Sequence, residues 1–152
     1  MSVTGTISYS WRGAFADAEV EALHAEGFGH PPTGSGWWAR VNRHSLGWVC
    51  ARDGGALVGF VNVAWDGASH AFVLDTVVAG ASGRRGVGTA LVAAAVEGAR
   101  AGGCEWLHVD FEDHLAGFYL SSCGFTSTGA GLVKLSTTRP RRGGLAGLFP
   151  SG

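Results

Sequence analysis

A run of strand-forming residues, Leu74-Asp75-Thr76-Val77-Val78, gives way to Arg84-Arg85-Gly86-Val87-Gly88-Thr89 and then to a long alanine-rich stretch. No other feature constrains the fold as much. A strand that runs into a glycine-rich turn and then a helix opens a strand–helix–strand crossover, which forces two strands parallel. The same arrangement binds anions. Backbone N–H groups converge in the turn, and the helix N-terminus adds partial positive charge. Glycine at 86 and 88 removes the Cβ that would keep an oxygen-rich group away from the backbone. The two neighbouring arginines suit a diphosphate.

The rest of the chain supplies the sheet around this unit. Thr6 to Trp11 alternates like an edge strand, and Asp17 is the expected N-cap of a helix carrying Val20, Leu23 and Phe28. Gly27 to Gly36 reads as a loop, followed by a short helical piece from Trp37 to Arg43. Leu46 to Arg52 and Ala56 to Trp65 are strands joined by Asp53-Gly54-Gly55, a strong hairpin signal. Asp66-Gly67-Ala68 turns the chain into a strand from Ala71 to Val78. The helix beginning at Gly86 shows Val87, Leu91, Val92, Ala95 and Val96 on one face and stops at Gly102-Gly103. Glu105 to Phe111 is an expected strand, Leu115 to Cys123 a short helix, and Phe125 with Leu132 to Leu135 the last strands. The expected fold is therefore α/β of the α+β kind, with a mixed, mostly antiparallel central sheet, one β-α-β crossover and flanking helices. One domain spans residues 1–136, and 137–152 read as a disordered tail.

Composition removes several classes. Basic and acidic residues number 11 and 12, so no dedicated nucleic-acid surface is expected. Arg139-Pro140-Arg141-Arg142 is the only basic run and reads as solvated tail. No apolar segment reaches the length of a membrane span and no leader is visible, so a soluble, cytoplasmic protein is expected. Cys50, Cys104 and Cys123 are odd in number and lack CxxC spacing, which favours free buried thiols. The six histidines show no pair at metal-ligand spacing, so no metal site is expected.

Competing readings of the glycine turn fit less well. A dinucleotide site needs G-x-G-x-x-G in the first strand–helix unit. Here Gly80-Ala81-Ser82-Gly83 is wrongly spaced from Gly86 and Gly88, and too little chain follows for a doubly wound sheet. A P-loop needs Gly-Lys-Ser/Thr, and Val87-Gly88-Thr89 has no lysine. A helix that starts with glycine only for close packing is the plain alternative. Gly67-Ala68-Ser69-His70-Ala71 faintly echoes a nucleophile elbow, but strands flank it on both sides.

The order of these motifs resembles the GNAT superfamily of N-acetyltransferases over roughly residues 46 to 135. Gly83-Arg84-Arg85-Gly86-Val87-Gly88 matches its Arg/Gln-x-x-Gly-x-Gly/Ala pyrophosphate motif after the strand-end Val78, and Phe118-Tyr119 ahead of Gly124-Phe125 matches its later aromatic motif. Two positions depart from the pattern. Gly83 replaces the usual Arg or Gln, leaving only backbone amides there. Tyr119 lies five residues before Gly124 where the family has four, which on a helix rotates the side chain by about 100 degrees.

The resemblance implies acetyl-CoA as co-substrate, its pyrophosphate on Arg84, Arg85, Gly86, Val87, Gly88 and Thr89. It also implies that the pantetheine arm pairs with the backbone of Thr76, Val77 and Val78. A primary amine of a small molecule, or an exposed protein amino group, then attacks the thioester directly. An alkyl ammonium titrates near pH 10.4, so a base is needed. Asp75, Asp110, Glu112 and Asp113 lie nearest in sequence. Asp75 leads, because a charge within an apolar strand needs a reason, although a structural strut is an equal alternative. Asp113 reads as the N-cap of the helix at His114. Tyr119 is the family-style acid for the departing thiolate, against a core aromatic. His108, sharing a strand face with Asp110, and His114 are reserves. Trp37 and Trp38 line an acceptor pocket, pack on the core, or meet a second subunit in a homodimer. A non-catalytic acyl-CoA-binding module is the alternative function, and an NAD enzyme a remote third.

Overall fold

The computed structural model describes residues 5–83 and 85–136; Arg84 and the segment 137–152, read above as a disordered tail, lie outside them. Five strands form one sheet in sequential order: β1 (Ile7–Trp11), β2 (Ser45–Asp53), β3 (Ala56–Trp65), β4 (His70–Val78) and β5 (Trp106–His108). The first four pair antiparallel and β4 pairs β5 in parallel, as a crossover through α3 (Val87–Ala101) requires. The two-residue Gly54-Gly55 turn closes the β2–β3 hairpin, with Asp53 opposite Ala56.

Alternation along the strands builds a core on each face of the sheet. Val49 and Ala51 of β2 face α3 with Val61, Val63, Ala71, Val73, Leu91, Val92 and Ala95. Their neighbours Trp48 and Cys50 face the other way, with Phe60 and Val77, against α1 (Asp17–Phe28) and α2 (Trp37–His44). Gly59 allows α3 to approach closely, since a Cβ there would meet Leu91 at 2.8 Å and Val87 at 3.0 Å. The first turns of α3 are thereby seated on β3.

Several boundaries differ from expectation. Ala16, not Asp17, is the N-cap of α1. The Glu19 carboxylate accepts the Ala16 N–H at 2.9 Å, while Asp17 accepts the N–H of Trp38 at 2.8 Å and so ties α1 to α2. Asp113 likewise opens a 3-10 turn (Asp113–Leu115) whose N-cap is Glu112. The strand expected from Glu105 to Phe111 is limited to Trp106–His108, because its pairing with β4 ends at Phe72 opposite His108. Phe125 and Leu132 to Leu135 form no strand. Thr126 to Gly131 offers small, turn-favouring residues with no alternating face, and Leu132, Val133 and Leu135 are exposed. The helix expected from Leu115 to Cys123 is instead that 3-10 turn followed by a π-helix, Gly117–Ser122.

Candidate active site

The irregularity in β4 organises the site. Phe60 pairs with Val77 but Asn62 pairs with Leu74, so Asp75 and Thr76 together face the single residue Val61. This is a β-bulge, and Asp75 takes φ +56° to make it. A left-handed conformation is uncommon for a residue with a Cβ, although aspartate tolerates it better than most. The extra residue changes the parity of the strand. Ala71 and Val73 face α3 before it and Val78 after it, while Val77 joins the opposite core. Backbone strain of this kind concentrates at functional positions.

Beyond Phe72 the outer edge of β4 has no strand partner. Thr76, Val77 and Val78 lie along that edge, and α3 begins nearby after a 3-10 turn, Gly80–Ser82. Gly86 caps α3 with φ +72°, a left-handed conformation that glycine adopts freely. The first helical bond runs from Ala90 N–H to Gly86 O at 3.1 Å, which leaves the amides of Val87, Gly88 and Thr89 without helical acceptors. No side chain caps them and no acid occupies the first turn. Among the described residues, nothing caps this helix N-terminus, and such an end suits an anion.

Its side-chain surroundings differ from expectation. The Gly83 amide is occupied, donating to Gly80 O at 3.3 Å. Arg85 turns towards the β2–β3 hairpin, donating to Asp53 Oδ2 at 2.7 Å and to Gly5 O at 2.8 Å. Arg84 lies outside the described residues.

On the α3 side of β4, Tyr119 is completely buried, stacked on Phe111 at 5.2 Å and edge-on to Phe118 and Phe125. The π-helix explains how it gets there. Cys123 N–H bonds to Phe118 O, five residues back, so the turn holds one residue more than an α-turn. That residue is the one by which the Tyr119–Gly124 spacing exceeds the family pattern. The Tyr119 hydroxyl and Thr76 Oγ1 are both buried, and neither completes a hydrogen bond of normal geometry. Burial raises the Tyr119 phenol well above its ordinary value, and the nearby Thr76 hydroxyl only partly offsets this.

On the opposite face, Asp75 lines a cleft of about 310 Å³ with Arg40, His44, Ser45, Asn62, Ala64 and Leu74. His24 Nε2 lies 3.1 Å from Asp75 Oδ1, Asn62 Nδ2 donates to Oδ2 at 3.4 Å, and Arg40 Nη2 stands 4.0 Å from Oδ2. Ser45 Oγ donates to Asn62 Oδ1 and fixes the amide's orientation. Neither Trp37 nor Trp38 lines this cleft. Trp37 is a buried wall behind it: the Arg40 guanidinium lies over its ring at 3.8 Å, and His24 packs on it at 4.9 Å. Trp37 Nε1 donates to Glu21 at 2.9 Å. Trp38 is half exposed and packs edge-on to Phe15 and Trp48.

Glu21 ties the 33–37 loop to α1. Burial pushes its carboxyl up, but hydrogen bonds from the Thr33 amide and hydroxyl, Trp37 and the Gly34 amide prevail and hold it at about 2. His108 is away from the cleft, paired with His70 at 2.8 Å, and His114 is exposed beside Glu112 at 3.5 Å. Burial raises the Cys50 and Cys123 thiols to about 11, which makes them poor nucleophiles. Among the described residues, no three His, Cys, Asp or Glu side chains are placed to hold a metal, and no helix is long and apolar enough to cross a membrane.

Sequence reasoning missed Glu21, His24, His30, Arg40 and Asn62. Only Arg40 carried a local signal, because Trp37 and Arg40 are three apart on a helix and so stack.

The five-strand, mostly antiparallel sheet with its α3 crossover is the architecture of an acetyltransferase fold. Residues 10–125 match the acetyltransferase (GNAT) family, so the chain belongs to it. The mixed sheet agrees with solved structures of that family. A GNAT family acetyltransferase from Streptococcus pneumoniae TIGR4 superposes with TM-score 0.67 and 24% identity, over 86% of this chain and all of that one. AAC(6')-Iy, solved with the bisubstrate analogue CoA-S-monomethyl-acetylneamine, gives TM-score 0.67 and 18% identity over 90% and 99% of the two chains. Glucosamine-6-phosphate N-acetyltransferase from Arabidopsis thaliana gives 0.68 and 13% over 84% and 97%. No curated protein sequence is similar enough to be a recognisable relative.

Proposed function

We propose that the protein transfers the acetyl group of acetyl-CoA to a primary amine, on a small molecule or an exposed amino group, by direct attack. The observation that carries this reading is the placement of an uncapped α3 N-terminus beside an unpaired β4 edge, with Asp75 and Tyr119 on opposite faces of the same strand. The amides of Val87, Gly88 and Thr89, in the first turn of α3, hold the pyrophosphate. The backbone of Thr76 to Val78 pairs with the pantetheine amides as an added strand would. Acetyl-CoA supplies the activated acyl group and a thiolate leaving group. Asp75 takes the proton of the acceptor ammonium, and Tyr119, kept protonated by burial, gives one to the departing sulfur.

The cleft also narrows the acceptor. Arg40 places a fixed cation in its wall, with a side chain 34% exposed and a guanidinium held over the Trp37 ring. A guanidinium is matched by a carboxylate or phosphate. The preferred acceptor thus carries an acidic group close to its amine.

Calorimetric titration with acetyl-CoA, with NAD as control, tests the cofactor site. Micromolar binding of acetyl-CoA alone is expected. Gly86→Val abolishes it by strain and bulk at the cap. Thr89→Pro weakens it by removing one free amide without breaking a helical bond. A folded protein that does not bind acetyl-CoA overturns the reading, and binding without turnover of any amine marks a non-catalytic acyl-CoA-binding module.

A further inference from the structure

Asp75 is the inner end of a chain of hydrogen-bonding groups that leads out of the cleft. Its Oδ1 meets His24 Nε2 at 3.1 Å, His24 Nδ1 meets His30 Nε2 at 2.7 Å, and His30 Nδ1 meets the Pro31 carbonyl at 2.8 Å. The His24 side chain is only 14% exposed. Phe28 stacks on its ring at 4.2 Å and Trp37 packs at 4.9 Å, so the ring is held in line. His30 is half-buried, and Pro31 beside it is exposed. The other charged group at the inner end is Arg40, 4.0 Å from Oδ2, where Asn62 also donates.

Donor counting shows what the chain can do. A carbonyl only accepts, so His30 Nδ1 carries a hydrogen. Two neutral imidazoles bring two hydrogens, but three contacts need three. With both rings neutral and Asp75 ionised, His30 Nε2 accepts from His24 Nδ1, and His24 Nε2 presents a lone pair to the carboxylate. One contact is then a hydrogen short, in a place where an unmade hydrogen bond is costly. A proton arriving at Asp75 completes all three, and each bond polarises the next.

We propose that His24 and His30 are a proton relay that clears Asp75 during acyl transfer. This rests on Asp75 being the base. The N–H bond of the acceptor ammonium breaks as an O–H bond forms on Asp75. That proton moves to His24 Nε2, the Nδ1 proton of His24 moves to His30 Nε2, and His30 releases one proton to water at the Pro31 loop. The amine keeps the electron pair with which it attacks. His24 and His30 touch no substrate and act as positioning residues through Asp75.

The test compares Asp75→Asn, His24→Gln and His30→Gln with the unaltered protein, using acetyl-CoA with β-alanine and with propylamine as probe acceptors. His24→Gln keeps a donor to Asp75 but cannot pass a proton, and His30→Gln does not touch Asp75. Each should lower kcat about tenfold or more, with the KM for acetyl-CoA within about twofold. The dependence of kcat on deuterium fraction should be bowed in the unaltered protein and linear in His30→Gln, a change that a packing role would not cause. Normal kcat and a bowed profile in both histidine variants, with Asp75→Asn inactive, overturn the relay alone. Full turnover in Asp75→Asn overturns the assignment of the base, and the relay with it. Nitrogen-15 NMR of the free protein reads the relay without turnover. A proton resonance coupled to both His24 Nδ1 and His30 Nε2 supports it, and its absence at every pH overturns it.

Discussion

The two ends of the site are made of different materials. At the α3 end the binding groups are backbone amides of consecutive residues, Val87 to Thr89, presented by a glycine cap. At the cleft they are side chains from four elements: Arg40 on α2, Ser45 on β2, Asn62 on β3 and Asp75 on β4. A backbone site depends on local conformation and is generic for its ligand. A side-chain site depends on tertiary packing, and there the chain can specialise. On the proposed function, the family-wide cofactor and the particular acceptor therefore map onto separate machinery.

Substitutions at the two ends should separate binding from turnover. Asp75→Asn removes the proposed base while nearly preserving shape. It should lower kcat by about 10²–10³ and leave the affinity for acetyl-CoA unchanged in the titration. A parallel loss of cofactor affinity would break the division of labour. Tyr119→Phe should lower kcat by about tenfold. It should leave thermal stability equal or slightly higher, because it removes a buried hydroxyl that lacks a good partner. Arg40→Gln sharpens the comparison at the acceptor end. The preference for β-alanine over propylamine in kcat/KM should fall by about tenfold, with acetyl-CoA binding intact.

Glu21→Gln should have the smallest effect on turnover and act on stability instead, costing on the order of 2 kcal/mol in a denaturant titration. The native carboxyl is held at about 2 against an ordinary value of 4.5, so its contribution is complete above pH 4.5 and is lost as pH falls towards 2. The glutamine variant should therefore show a shallower loss of stability over that interval.

This division also explains what was legible in the sequence. The strand, turn and helix from Leu74 to Ala101 are contiguous, and each element obeys its own local rule, so this part of the fold was readable. Asp75 was found as a charge in an apolar strand, but the bulge that aims it was not, because a bulge is set by pairing with β3. His24 and His30 are unremarkable along the chain and gain meaning only when α1 packs beside β4. Trp37 and Trp38 were recognised as unusual after a loop, but one became a wall and the other a surface ring, a choice made by Glu21 and Phe15. Leu132 to Leu135 had strand-like composition, but the segment pairs with no strand and Leu132, Val133 and Leu135 stand exposed.

The π-helix at Gly117–Ser122 bears on how chains of this family can change length. Its surplus residue is accommodated within one turn, so deleting Leu120 or Ser121 would let the segment relax to an ordinary α-turn, with Tyr119 still leading into Gly124. The surplus residue in β4 has no such freedom. Removing it would exchange Val77 and Val78 between the two cores. Length variation among relatives should thus accumulate at the aromatic turn and be purged from the strand.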